Sequence, residues 1–82
     1  MTDRDAAFVA SLGMPALQAL SEALGDAACI GLSLEGAGLD PDFSVTVISG
    51  SVSGRITVGI SADDGNGGRR EYAQCVRDWR VA

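Results

Sequence analysis

Apolar side chains recur along this chain with two different periods. Over residues 14–24, Leu17, Leu20 and Leu24 fall three or four apart, with Gln18, Ser21 and Glu22 on the opposite side. That is the spacing of a helix with one buried stripe. Pro15 suits its first turn, where the missing N–H leaves no bond unmade, and Gly25 suits its C-terminal cap. Upstream, Thr2 and Asp5 have the spacing of a capping box, Ala6, Phe8, Val9 and Leu12 follow, and Gly13 is a natural stop. Residues 2–12 therefore predict a first helix, or the first limb of a single kinked one.

After Asp26 the period becomes two. Ala28, Ile30, Leu32 and Leu34 alternate with Cys29, Gly31, Ser33 and Glu35, which predicts a half-buried strand. Residues 36–42, with Gly-Ala-Gly and Asp-Pro-Asp, form a loop. Phe43, Val45 and Val47 alternate with Ser44 and Thr46, and Ile56, Val58 and Ile60 with Arg55, Thr57, Gly59 and Ser61. Joined by the turn residues of 49–54, these two runs predict an antiparallel hairpin.

The last segment reads two ways. Tyr72, Cys75, Val76 and Trp79 share a narrow helical stripe; Ala73, Cys75, Trp79 and Val81 share a strand face interrupted by Arg77. The stripe tips the balance slightly towards helix, while the Asp-Gly and Asn-Gly pairs before it favour a hairpin. Either way the expected class is α+β: two N-terminal helices, or one kinked helix, packed on a small antiparallel sheet of three to four strands. The outward positions Gly31, Ser33, Ser44, Thr46, Thr57, Gly59 and Ser61 give that sheet a small, uncharged outer face, through which a homodimer could form.

With 82 residues and 46% hydrophobic positions, the chain is one domain, residues 1–82. Its charge is uneven. Residues 1–54 carry seven acids against one arginine, net −6, and residues 55–82 four acids against five arginines, net +1. The overall −5 argues against direct contact with nucleic acid or an anionic membrane. The opening Met1-Thr2-Asp3-Arg4-Asp5 is acidic where a secretory signal is basic and then apolar, so a cytoplasmic location is expected.

The side-chain inventory excludes much chemistry. The absence of His and Lys leaves eight serines without an activating base and removes the commonest metal ligand. Cys29 and Cys75 are far apart and read as two buried thiols, so neither metal nor cofactor is expected. Asp64-Gly65-Asn66-Gly67 begins like a calcium loop, but Gly68 and Cys75 stand where further oxygen ligands are required. Gly65 to Gly68 with Arg69 and Arg70 reads as a charged hairpin loop. No catalytic residue emerges.

What remains is acidic charge on a small domain, with Asp26, Glu35, Asp40, Asp42, Asp63 and Asp64 as candidate partner-binding residues. In size, acidity and lack of catalytic groups, the whole chain resembles the small acidic anti-CRISPR proteins carried by phages. That resemblance implies a non-enzymatic inhibitor in the host cytoplasm, docking on a basic protein surface and blocking target DNA binding by a CRISPR surveillance complex. The alternatives are an antitoxin or immunity protein neutralising a nuclease, and a small self-associating phage structural component.

Overall fold

The helix expected to stop at Gly25 runs on to Gly36. A computed structural model describes residues 7–8, 10–63, 65 and 67–81. Helix α1 spans Met14–Gly36, 23 residues with a rise of about 35 Å. Strands β1 (Asp42–Ser49), β2 (Ser53–Asp63) and β3 (Arg69–Arg80) follow. They form one antiparallel sheet in the order β1-β2-β3, and the class is α+β. Ahead of α1, Ala7, Phe8, Ala10 and Ser11 are helical and Gly13 breaks the chain at φ 103°. The capping box expected at Thr2 and Asp5 lies outside the described residues.

The strand expected over residues 28–35 is instead the second half of α1. Ala16, Ala19, Ala23, Ala27 and Gly31 are all buried and continue one helical stripe straight through Gly25. The alternating set is split by the helix: Ile30 and Leu34 flank the core, whereas Ala28 is exposed and Leu32 is 68% exposed. Gly31 and Ser33 are accordingly helical and not part of the sheet's outer face.

The true stop is Gly38 at φ 86°. Its N–H donates to the Glu35 carbonyl at 3.0 Å, and that of Leu39 to the Leu34 carbonyl at 3.0 Å. This is a Schellman cap, with apolar side chains at both Leu39 and Leu34.

The C-terminal segment is the strand β3, so the slight preference for helix is overturned. Ala73, Cys75 and Trp79 turn towards α1 while Tyr72 and Val76 are exposed. Thr57, Val58 and Gly59 of β2 stand opposite Val76, Cys75 and Gln74. Between Ile60 and Ser61 the register slips, leaving Tyr72 as the extra residue of a β-bulge.

Helix α1 lies on β2 and β3, its alanines letting the backbone approach closely. Ile56, Val58 and Ile60 beneath it are completely buried, each worth about 1.5–3 kcal/mol of transfer free energy. Two glycines admit large rings. A Cβ at Gly31 would lie 2.6 Å from Phe43 Cζ, and the Trp79 indole occupies the space above Gly54.

Candidate functional site

Four of the six candidate acids collect at one end of the fold, where α1 stops, β1 begins and the β2–β3 loop turns. Glu35 stands in the last turn of α1, Asp40 in the connection to β1, Asp42 at the first residue of β1 and Asp63 at the last of β2. Asp26 is on α1 away from this end. Asp64 lies outside the described residues.

These carboxylates are not equivalent. Asp26 accepts a hydrogen bond from Arg77 Nη2, and Asp42 is ion-paired with Arg69 Nη2, which reaches over β2 from β3. Asp63 Oδ1 accepts from the Gly65 N–H at 2.8 Å, an Asx turn that lets Gly65 take φ 84°. Glu35 and Asp40 are exposed and have no ion-pair partner among the described residues. Among the described residues, uncompensated negative charge at this end therefore comes from Glu35, Asp40 and Asp63, the last of which is held only by a backbone N–H.

Local backbone electrostatics adds to it. The C-terminal pole of a helix carries roughly half a negative charge. The last turn of α1 holds no basic residue to offset that pole. Glu35 there is unfavourable by about 0.3–1 kcal/mol. Two arginines open β3 at the same end: Arg69 is drawn across to Asp42, while the Arg70 guanidinium lies 5.4 Å from the centroid of the Tyr72 ring.

The far end of the sheet has a different character. An open depression of ≈ 680 Å³ is lined by Ile48, Gly54, Arg55, Asp78, Trp79 and Arg80, among others. Arg55 and Asp78 stand directly opposite across β2 and β3, with Arg55 Nε 2.7 Å and Nη2 3.4 Å from the two carboxylate oxygens. That hydrogen bonding holds the Asp78 carboxyl below the usual carboxylate range and raises the Arg55 guanidinium further. The acid here is thus already committed to a cation, and the lining hydroxyls, Ser49 and Ser53, have no His or Lys in the chain to activate them.

Cys75 is buried as expected. Cys29 is not: on the outer side of α1 it is exposed, because the segment that carries it is helix. Both thiols are free. Among the described residues no helix is long and apolar enough to cross a membrane, and no group of three or more potential metal-ligating side chains gathers.

The neutralising partners Arg69 and Arg77 were not singled out in the sequence as part of this charge pattern. Arg77 did leave a signal: it breaks the apolar alternation of β3, and that break is where the strand sends a charge towards α1. Arg69 left none, since its pairing depends on strand order. Neither a family model, nor a curated protein, nor a solved structure matches the chain.

Proposed function

We propose that this chain is a non-enzymatic binding protein that presents its α1–β1 end to a basic surface of a protein partner. The observation that carries the reading is the placement of Glu35 and Asp40. Both carboxylates are exposed, without an ion-pair partner among the described residues, and beside the negative pole of a helix, where negative charge lowers stability instead of raising it. Groups that cost the fold and face solvent are well placed to gain their compensation from a partner's cations. Asp42 and Asp63 frame the same surface, and Asp26 contributes to the fold through Arg77.

The resemblance in size and composition to acidic anti-CRISPR proteins supplies the partner class: a CRISPR surveillance complex in the host cytoplasm, engaged at the basic surface that receives DNA. Competition decides it. A purified surveillance complex is titrated with target DNA, with and without the protein, at low and at moderate salt. Displacement of DNA by the wild type, weakened by salt and abolished by Glu35→Gln with Asp40→Asn, supports the assignment. Undisturbed DNA binding across the types of complex tried sinks the CRISPR reading. Displacement that survives the double substitution sinks the surface.

A further inference from the structure

We infer that the free edge of β1 pairs antiparallel with β1 of a second copy, joining two sheets into one of six strands around a two-fold axis. The sheet has two edges, and they differ in kind. β3 carries Arg69, Arg70, Glu71, Arg77, Asp78 and Arg80, a bulge at Tyr72, and an inward-turned charge in Arg77. Those are the devices by which natural sheets prevent edge-to-edge pairing. Past its first residue, Asp42, β1 has none of them. From Phe43 to Ser49 it reads Phe-Ser-Val-Thr-Val-Ile-Ser, without a charge, a proline or a bulge, and in a run of strong β-formers.

The hydrogen-bonding groups on this edge are set by the turn. The Gly50 N–H donates to the Ser53 carbonyl at 2.8 Å. Because hydrogen-bonded and non-bonded pairs alternate along an antiparallel ladder, the even-numbered residues of β1 face β2. Phe43, Val45, Val47 and Ser49 then direct their N–H and C=O groups away from the sheet. Pairing centred on Val45 matches these groups between copies. It sets Phe43 against Val47 and Val45 against Val45 on the helix side, and Ser44 against Thr46 on the outer side. Apolar meets apolar and hydroxyl meets hydroxyl.

Exposure on the helix side points to the same occupant. Helix α1 covers β2 and β3 and leaves β1 partly bare: Val45 and Val47 are only half-buried and Phe43 is 45% exposed. A second copy would cover these side chains. Net charge of −5 makes two copies repel, and β1 is the one strand whose interior carries no charge. The contact is isologous, so it closes at two copies. Its paired run, Phe43 to Val47, excludes Glu35 and Asp40, so its failure and that of the binding reading are distinguishable by separate substitutions.

Sedimentation equilibrium of the full chain over a range of concentrations tests this, with two double variants. The wild type should be a dimer that dissociates on dilution. Ser44→Lys with Thr46→Lys sets like charges opposite one another at the seam and should weaken the dimer roughly tenfold or more. Ser44→Lys with Thr46→Glu sets opposite charges there and should retain it. A wild type that is monomeric at every concentration, a series of species beyond dimer, or a dimer indifferent to the paired lysines overturns the proposal. Hydrogen exchange on the unmodified chain decides the matter if a variant does not fold. Exchange at the Val45 and Val47 amides should slow as concentration rises, with the Thr46 amide, already bonded to β2, as reference. Exchange at Val45 and Val47 that ignores concentration overturns it equally.

Discussion

Arg77 of β3 and Asp26 of α1 form an ion pair between residues 51 positions apart in sequence. Arg77 stands opposite Ile56 on the helix-facing side of the sheet, at the outer edge, so its stem passes along the core and its head emerges beside the helix. One charge thereby guards an edge strand and fixes the helix laterally. It also gives Asp26 an intramolecular cation that Glu35 and Asp40 lack among the described residues.

Replacing Asp26 with Asn should therefore be read in stability rather than in binding. Both side chains are more than a third exposed, so water screens the pair. The loss should be about 0.2–1 kcal/mol and shrink at high salt. Urea denaturation at two ionic strengths measures it. Partner binding should be unchanged. A large binding defect with unaltered stability would return Asp26 to the docking surface.

Gly25 tests the extent of the helix. It lies within α1, and nothing stands within 4 Å of a Cβ built on it. Gly25→Ala should raise stability by about 0.5–1 kcal/mol through helix propensity and the reduced freedom of the unfolded chain. Were Gly25 a left-handed cap before a strand, the same change would destabilise. Thermal unfolding followed by circular dichroism separates the two outcomes by sign.

That position marks where the sequence could and could not be read. The β1–β2 hairpin was legible because Val45, Val47, Ile56, Val58 and Ile60 alternate between clear turn residues. α1 was misread because Gly25 and Gly38 offer the same punctuation, and only the Schellman bonds to Leu34 and Glu35 distinguish the stop from the passing glycine. Ala28, Ile30, Leu32 and Leu34 fit a strand locally, but the buried Ala/Gly stripe of α1 overrides that pattern through tertiary packing. β3 was ambiguous because its inward face includes Arg77, a choice explained only by Asp26 on another element. The candidate acids were easy to name and hard to sort, since Asp42 owes its neutralisation to Arg69 crossing a strand order the sequence does not display.

Acid titration should register the Arg55–Asp78 pair. Asp78 is held below the ordinary carboxylate range by its hydrogen bond from Arg55. A carboxyl whose folded pKa is depressed stabilises the fold above its unfolded value, about 3.9, and loses that contribution as pH falls through the folded value. The difference in melting temperature between wild type and Asp78→Asn should be constant at neutral pH and close progressively below about pH 4. A difference that persists unchanged into strong acid would show that the charge of Asp78 is not what matters.

Gly54 admits no side chain. A Cβ there would collide with the Trp79 ring and lie 2.6 Å from the Ile48 carbonyl oxygen. Because one of these obstacles is backbone, the strain cannot be relieved by a rotamer change alone. Gly54→Ala should cost about 1–3 kcal/mol. Trp79 is the only tryptophan, so its emission should shift to the red as the indole is pushed out. Unchanged emission and stability would mean that the ring does not rest on Gly54.

Glu35 separates function from stability most sharply, because the two should move in opposite directions. In the last turn of α1 it faces the negative pole of the helix without a basic neighbour in that turn. Glu35→Arg puts a cation where the dipole favours one and should stabilise the fold by about 0.3–1 kcal/mol. On the acidic-surface reading the same change sets a positive charge against a basic partner and should weaken binding, chiefly by slowing association at low salt. Denaturation midpoints and stopped-flow association rates measured on the one variant test both halves. Slower association by a more stable protein is the expected pair of results. A more stable variant that binds as fast as the wild type would remove Glu35 from the docking surface and leave Asp40 to carry it alone.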